Sequence, residues 1–564
     1  MPFTPSRIPH APALRLGAGS PAGVCGAQDR QNRVAAGAPP ARAQDDAGMG
    51  QLEAGSTPRP MERAGADARG QFDLFFPQYK FTEWAQRFGP VYTVMQGATA
   101  HVVVSRAAEA RDIFVKQGAN TQGRGHQRFQ VELMRGGFFP GLMEGPRWRE
   151  ARKMWAQVLN PAASRQYTAY QELEAHKLLV DVLDRPGAWR GHVERYANSI
   201  AMTMVNGRRV VAADDQAIRD TIQDLFDMSE TGFRGAMLDL WPFLWRLPRW
   251  LFPVCAEARR CARKHRAFIL KYWDGVKDSV AKGTAIPSFN RAFLDKLAHG
   301  YSNVTELEAA EIGYTLLTGT TDTTSSSLIN WVAAMCLNPE AQRKAQEEID
   351  RVVGPTRLPV EADAPNLPYT RALILEAGRY ITAVPLALPK STNGPVRTGA
   401  HTLPAGTGLV LNAYAIHKDP ELFPSPSSFR PERWLDRTSA PGAGFDEGPG
   451  EQTLFTFGAG RRVCPGQHLA ERSLFVVVAR WLWAFETAQA VGEGGAKVPI
   501  DVEDLRPGFI VCLNPFQAVV KPREGREEVV REGWGRERAE LLDGEEQWKR
   551  TPEGLERLLG RIGG

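Results

Sequence analysis

The stretch from residue 305 to residue 337 constrains the fold most, because it is long, helix-favouring and almost uncharged. Thr305-Glu306-Leu307-Glu308 has the pattern of a capping box, and Asn338-Pro339 provides a stop signal at the other end. A helix of about thirty residues is roughly 50 Å long, which is enough to cross a whole domain. The sequence therefore predicts a buried helix at the centre of one large domain.

The middle of this predicted helix is unexpectedly polar, reading Thr318-Gly319-Thr320-Thr321-Asp322-Thr323-Thr324-Ser325-Ser326. Hydroxyl groups in a buried helix can bond back to the preceding turn, which would account for some of the threonines. A buried carboxylate is costly, so Asp322 indicates a functional position.

A second stretch, Phe457 to Gly466, places Cys464 in a glycine-rich turn just before a predicted helix. Pro465 suits a first helical position, and both the helix N-terminus and Arg462 favour a thiolate at Cys464. The glycines allow a sharp turn and a close approach to a flat partner. A lone cysteine without a CxxC neighbour argues against zinc or iron–sulfur and favours haem iron. The alternative is a buried structural cysteine.

Five residues of this stretch, Phe457, Gly460, Arg462, Cys464 and Gly466, match the haem-binding signature Phe-x-x-Gly-x-Arg-x-Cys-x-Gly. The chain thus resembles the cytochrome P450 family, and most of all its filamentous-fungal microsomal members. The resemblance implies a mainly α fold with small β-sheets, in which a long central helix crosses over haem b. It further implies that the Cys464 thiolate is the axial iron ligand and that Phe457, Gly458, Gly460, Arg462 and Gly466 contact the haem.

Two further segments match family motifs that surround the haem. Gly319 to Thr324 resembles the oxygen-activation motif, which implies that Asp322 and Thr323 relay protons to bound dioxygen; Thr320 stands where the pattern has its second glycine. Trp148 and Arg152, four residues apart on one helix face, resemble the element that holds a haem propionate. Lys390 falls where relatives carry another propionate-binding cation.

The resemblance also covers a structural network and the substrate pocket. Glu376 and Arg379 match the family's Glu-x-x-Arg, which joins the arginine of a later Pro-Glu-Arg segment, here Arg433, behind the haem. His417 is interpreted as part of a helix cap and not as a metal ligand. The candidate pocket residues come from the loop 123–145, the central helix and the stretch after residue 380: Phe138, Phe139, Gly319, Thr320, Val384, Pro385 and Leu386.

The composition and the two ends suggest three parts. Residues 1–70 are rich in Ala, Gly, Pro and Arg and are predicted to be disordered, without a transmembrane anchor. Residues 71–522 are predicted to form the catalytic domain. Residues 523–564 are predicted to be a charged helical tail, which is interpreted as solvated. The net charge of +5 suits acidic protein partners or anionic lipid and is too weak to indicate nucleic acid binding. Six scattered cysteines suggest a reducing compartment.

Residues 240–252 contain three tryptophans, two phenylalanines and two arginines, a composition typical either of a membrane interface or of an aromatic lid over the active site. By resemblance we expect attachment to the cytoplasmic face of the endoplasmic reticulum.

The function implied by the resemblance is monooxygenation. One oxygen atom from O2 enters an apolar small molecule, with secondary metabolism as a candidate setting. Electrons come from NADPH through a separate cytochrome P450 reductase, with cytochrome b5 as a further candidate partner. Two alternatives remain: a haem-thiolate isomerase or dehydratase acting on a peroxide, against which Asp322-Thr323 argues, and a non-catalytic haem protein.

Overall fold

The structure is a computed structural model that describes residues 63–64, 76–125, 127–301, 303–439, 452–506 and 508–562. Apart from residues 63–64, the segment 1–70, for which the sequence predicts disorder, lies outside the described residues. Within the described chain, no helix combines the length and the apolar composition that crossing a membrane requires.

Helices dominate the fold. In chain order they are α1 (Pro77–Phe88), α2 (Ala107–Ala110), α3 (Pro146–Leu159), α4 (Pro161–Ser164), α5 (Thr168–Asp184), α6 (Trp189–Asn206), α7 (Gln216–Leu240), α8 (Pro253–Ala281), α9 (Phe289–Ala298), α10 (Glu306–Leu337), α11 (Pro339–Val352), α12 (Pro368–Tyr380), α13 (Ala413–His417), α14 (Leu435–Thr438), α15 (Gln467–Ala484), α16 (Arg526–Leu541) and α17 (Leu555–Leu559).

The strands are short: β1 (Arg63–Ala64), β2 (Val91–Gln96), β3 (Thr99–Val104), β4 (Lys390–Ser391), β5 (Val396–Thr398), β6 (His401–Leu403), β7 (Gly408–Leu411), β8 (Phe485–Gln489), β9 (Leu505–Arg506), β10 (Cys512–Leu513) and β11 (Ala518–Pro522). The largest sheet has the order β1-β2-β3-β7-β4, and the other strands pair as β5-β6, β8-β11 and β9-β10. The hairpin β2-β3 confirms the turn predicted at residues 97–99, and the mainly α fold with small sheets is confirmed as a whole.

The central helix is α10, and its bounds confirm the sequence prediction. The Thr305 hydroxyl accepts a hydrogen bond from the Glu308 backbone N–H, and the Glu308 carboxylate accepts one from the Thr305 N–H, so both halves of the capping box are present. The helix packs along α6 and also contacts α8, α9, α12 and α15, which places it inside the main hydrophobic core.

The C-terminal segment is helical, as the sequence predicts, but the interpretation of a solvated tail is wrong. Helix α16 packs on α5 and α17 packs on α3, and their apolar side chains belong to the main core. The Trp548 ring lies 4.7 Å from the Tyr170 ring, and His176 of α5 contacts the Val530 carbonyl at 2.8 Å. Charged residues spaced along a helix do not reveal a buried face when only a few apolar side chains, such as Val530 and Trp534, form it.

Candidate active site

The loop that carries Cys464 is shaped by its own backbone. The Cys464 N–H donates to the Phe457 carbonyl at 2.9 Å, which closes the turn. Gly458 and Gly460 have φ of 75° and 67°, and a Cβ at Gly460 would lie 1.9 Å from the Phe114 carbonyl oxygen, so only glycine fits there. Gly466 has φ of −89° and needs no such freedom; it precedes α15, which begins at Gln467 and not at Pro465.

The Cys464 side chain is accessible at its surface, yet burial dominates its ionisation. Burial raises the pKa of the Cys464 thiol, and the Gly466 N–H and the Arg152 charge offset this only in part. The expected lowering of this pKa by the helix end and Arg462 is therefore wrong for the protein groups alone, because the cost of enclosing a charge is larger. Bound metal ions deprotonate a ligating thiol by their own charge.

Positive side chains gather around this loop. Lys390 Nζ donates to the Ala459 carbonyl at 2.9 Å, and Arg152 Nη2 donates to the Val463 carbonyl at 2.6 Å. Arg462 stacks on the Trp148 indole, with its guanidinium carbon 3.6 Å from the ring centroid, and donates to the carbonyls of Gln122 and Met143. Trp148 therefore supports a cation of the loop, in addition to sharing a helix face with Arg152 as the sequence predicts.

The cluster also contains Arg124, which the sequence reasoning missed. Its guanidinium donates to the carbonyls of Leu388 and Pro389, just before Lys390. The signal available in the sequence was a single arginine between two glycines at residues 123 and 125, which does not by itself indicate a binding site. Only the folded chain brings this loop against the strand that carries Lys390, through the Gly123–Ser391 bridge.

These cations are held together at an electrostatic cost. Burial, followed by the charges of Arg124 and Arg462, lowers the pKa of Lys390 to about 7. Burial, followed by Arg462 and Arg152, lowers the pKa of Arg124 to about 9. Glu144 is the acid that opposes them most directly, and it is exposed. Arg124 Nε and Arg462 Nη1 are buried without a hydrogen-bond partner within the described structure. Buried, mutually repelling cations with free donors fit a ligand that carries two carboxylates.

The cysteine loop is one candidate wall of the site, and the middle of α10 is the other. Gly319 is exposed and Thr320 and Thr323 are partly exposed, although the helix lies inside the core. A Cβ built at Gly319 would meet nothing within 4 Å, so open space adjoins the helix at this point. The Thr323 hydroxyl donates to the Gly319 carbonyl at 2.6 Å, which leaves its oxygen lone pairs free toward that space.

The Asp322 carboxylate lies beside Arg506 and Ser326. It is 3.5 Å from Arg506 Nη2 on β9 and accepts a weak hydrogen bond from Ser326 at 3.4 Å. Burial raises the pKa of Asp322, and the Arg506 charge counteracts part of that shift. The structure therefore pairs the acid with a half-exposed arginine and leaves only its neighbour Thr323 on the open side of the helix.

Behind the cysteine loop, the Glu376 carboxylate is fully buried and collects five hydrogen bonds. Arg379 donates twice, at 2.9 and 2.8 Å, and Arg433 Nε, Trp434 Nε1 and the Arg430 N–H donate once each. Arg379 also donates to the carbonyls of His417 and Pro426.

His417, the last residue of α13, extends this network to the loop. Its Nε2 accepts the Phe455 N–H at 3.0 Å, and its Nδ1 lies 2.8 Å from the Thr382 hydroxyl. Burial, with the charges of Arg379 and Lys418, lowers the pKa of His417 to about 3, so the ring is neutral. The interpretation of His417 as part of a cap was incomplete, because this side chain ties the region of Arg379 to the segment entering the cysteine loop.

A model of the cytochrome P450 family matches residues 73–500. The chain belongs to the cytochrome P450 family. It is similar to the cytochrome P450 monooxygenase alnH of Emericella nidulans, with 58% identity over 494 residues, covering 87% of this chain and 89% of that protein. It is also similar to the monooxygenases virE of Hypocrea virens and fogE of Aspergillus ruber, each 34% identical, with 84% of this chain and 87% and 88% of those proteins covered. This P450 is an oxidoreductase enzyme.

The candidate pocket residues of the P450 divide into two groups. Gly319 adjoins open space and Thr320 next to it is half-exposed, whereas Val384 and Pro385 follow Ala383, whose carbonyl accepts the Val511 N–H at 2.7 Å. The other group, Phe138, Phe139 and Leu386, is engaged in packing: Phe138 belongs to the main core, Leu386 packs on the cluster around Phe81 and Tyr92, and Phe139 carries the Arg135 guanidinium 4.2 Å from its ring centroid.

Arg135 leads to a buried polar network that sequence reasoning missed. It pairs with Glu311 of α10, whose other oxygen lies 2.8 Å from His265 Nε2 of α8. His265 Nδ1 lies 3.0 Å from Asp224 of α7, and Asp224 also accepts the Tyr314 hydroxyl. The network joins α7, α8 and the short helical stretch 128–135 to the central helix. Its members are separated by up to 179 residues in the sequence, so no local pattern could reveal it.

Proposed function

We propose that this P450 is a haem-thiolate monooxygenase that inserts one atom of O2 into an apolar small molecule, with a setting in secondary metabolism. The observation that carries the proposal is the accessible Cys464 in a loop that carries Arg462 and is contacted by Arg152 and Lys390. These residues fit haem b, since a thiolate suits the iron and the cation cluster suits two propionates.

When bound, the haem would supply two-electron activation of dioxygen. Cys464 would ligate the iron; Arg124, Arg152, Lys390 and Arg462 would neutralise the propionates and so relieve the mutual repulsion that lowers the pKa of Lys390. Thr323 Oγ1, already donating to the Gly319 carbonyl, would accept a hydrogen bond from a water molecule on the open side of α10 and so hold a water that can pass on a proton. Asp322 would exchange protons with solvent from its position beside Arg506.

The experiment that tests this function is an optical spectrum of the dithionite-reduced protein with carbon monoxide, for the wild type and for Cys464→Ala. We expect the red-shifted Soret band of thiolate-ligated haem in the wild type and its loss in the variant. A wild type without this band refutes the proposal. Turnover that needs no NADPH and reductase would favour the isomerase or dehydratase, and failure to consume O2 with any ligand that shifts the haem spectrum would favour a non-catalytic haem protein.

P450 enzymes generally use a separate redox partner, and we propose that an NADPH–cytochrome P450 reductase, with cytochrome b5 as a second donor, docks beside the cysteine loop. Arg149 and Lys153 are exposed on α3, the helix whose Arg152 contacts the loop, and Arg461 is exposed within the loop itself. Such a face suits an acidic flavoprotein surface and predicts docking that weakens with salt.

We propose that residues 240–252 bind the cytoplasmic surface of a membrane, the endoplasmic reticulum by family resemblance. Trp250 is 80% exposed and Phe243 is 58% exposed, beside exposed Leu247 and Leu251. Trp245, by contrast, is turned inward, because its indole N–H donates to Asp239 at 3.1 Å. The lipid-facing side chains are therefore the outer apolar ones of this segment, with Trp245 as part of the lid.

The wild-type protein should sediment together with liposomes that contain anionic lipid, whereas Trp250→Glu should stay in the supernatant. The control is Val491→Glu, at an apolar position outside the segment that is 62% exposed, and this variant should still sediment. Equal sedimentation of both variants and the wild type would contradict the proposed surface.

A further inference from the structure

The hydroxyl groups of α10 are mostly used by the helix itself. Thr315 donates to the Glu311 carbonyl at 2.9 Å, Thr323 to the Gly319 carbonyl at 2.6 Å, and Ser327 to the Thr323 carbonyl at 2.8 Å. Thr318 and Thr321 make the same bond to the residue four positions earlier. A hydroxyl has one hydrogen to donate, so none of these groups has a donor left for a ligand.

Thr320 differs from these residues. None of the described residues forms a hydrogen bond with its hydroxyl, although the Leu316 carbonyl lies four positions earlier in the same helix. The side chain is half-exposed, and it belongs to the helix face that also carries the accessible residues Leu316, Gly319 and Thr323. A Cβ built at the neighbouring Gly319 would meet no other part of the protein within 4 Å. There is room for a ligand atom beside Gly319, on the helix face that also carries the Thr320 hydroxyl.

At the position of Thr320, the chain departs from the family pattern. The family pattern has a glycine here, which cannot offer a hydrogen bond from a side chain. Ligand cavities are mainly apolar and contain a few placed polar groups that fix the orientation of the ligand. An unpaired hydroxyl in an enclosed cavity loses its hydration when an apolar ligand enters, whereas a ligand oxygen at that point restores a hydrogen bond.

We propose that the Thr320 hydroxyl determines substrate specificity by hydrogen bonding an oxygen-bearing substituent, a hydroxyl or carbonyl, on an otherwise apolar substrate. This inference rests on the proposed function, because it takes the space beside Gly319 as the substrate site. Thr320 then both fills the place of a glycine and sets which carbon of the substrate lies over the haem. The substrate class follows: a largely hydrocarbon molecule that is already oxygenated near the carbon to be oxidised.

The proposed contact also bears on the reaction that precedes this one. A substrate that already carries oxygen must come from a step that installs or retains it, such as carbonyl-forming chain assembly or an earlier hydroxylation. The P450 would thus add an oxygen atom to an intermediate that already carries one.

The test uses the haem-loaded full chain and 1-phenylimidazole, together with its three hydroxyphenyl isomers, as spectral probes. Wild type, Thr320→Val, Thr320→Ser and Thr315→Val are titrated, and the ratio of dissociation constants of parent and hydroxylated probe is measured. Valine keeps the shape of threonine without the hydroxyl. Thr315→Val makes the same change at a half-exposed hydroxyl that already bonds to Glu311, so it is the matched control.

We expect at least one isomer to bind about tenfold more tightly than the parent probe in the wild type, in Thr320→Ser and in Thr315→Val, with the advantage lost in Thr320→Val. If the ratio for every isomer stays within about twofold across all four proteins, or if Thr315→Val loses the advantage as well, Thr320 does not recognise oxygen. A wild type lacking the thiolate-ligated haem spectrum would instead refute the proposed function and this inference with it.

Discussion

The pair Glu376–Arg379 allows the cost of a stranded buried charge to be measured against an internal control. Both side chains are fully buried, whereas Glu340 and Arg343, with the same spacing of three residues on α11, are 63% and 54% exposed. Glu376→Gln keeps the size of the side chain but replaces one acceptor oxygen by an NH2 donor. This donor would face the N–H groups that bind the carboxylate in the wild type. The substitution also leaves the buried Arg379 without its counter-charge.

Breaking a buried pair typically costs about 3–5 kcal/mol, and an exposed helical pair contributes about 0.3–0.5 kcal/mol. In urea, with a slope of roughly 3 kcal/mol per M or more for a chain of this size, Glu376→Gln should lower the unfolding midpoint by about 1 M. Glu340→Gln should lower it by no more than about 0.2 M. Unfolding is followed by tryptophan fluorescence, and haem content is measured in parallel.

The substitutions at Glu376 and Arg379 should also be non-additive. Once Glu376 is neutral, removing the Arg379 charge as well no longer strands a partner, so the double variant Glu376→Gln/Arg379→Met should lose less stability than the sum of the single variants. Midpoints of Glu376→Gln and Glu340→Gln that agree within error would refute the account, since the two pairs differ in burial and in the partners that burial brings.

Two further predictions concern the docked tail and the buried network. The Trp534 indole packs on His176, so Trp534→Ala should lower the free energy of unfolding by about 3–5 kcal/mol. Arg536 is exposed on the same helix, and Arg536→Ala should lower it by less than about 0.5 kcal/mol. Equal effects would mean that α16 does not dock in solution. Burial and Arg135 oppose protonation of His265, but Glu311 and Asp224 outweigh them, so its pKa is raised above 6.5. The stabilisation is therefore complete below about pH 6.5 and is lost as pH rises through the raised pKa. The stability advantage of the wild type over His265→Gln should accordingly shrink with rising pH, and an advantage that is constant from pH 6 to 9 would contradict a charged His265.

Much of the candidate site could be predicted from the sequence because its signals are local. The turn at Gly458 and Gly460, the capping box at Thr305 and the Glu-x-x-Arg spacing on α12 each depend on residues within one turn of one another. Short-range geometry of this kind is fixed by backbone dihedrals and helical periodicity. For the same reason the mainly α fold and the hairpin β2-β3 were predictable.

The errors have a common cause, which is contact between segments far apart in the chain. The position of Trp245 within the aromatic segment did not show that its indole N–H would donate to Asp239 and that its ring would pack on Phe129. The Cys464 thiol is next to a cation and a helix end, yet enclosure controls its pKa. A linear pattern records which groups are present but not how much water they lose on folding.

The sequence by itself determined the family, the iron ligand that the family implies and the course of the central helix, since these rest on residue types at fixed short spacings. The tertiary structure alone decided that Arg124 joins the cations around the cysteine loop, that α16 and α17 enter the core, and that Thr320 keeps a free hydroxyl beside open space. Burial, electrostatic repulsion and hydrogen-bond satisfaction are properties of a three-dimensional neighbourhood, and they arise only when distant segments meet.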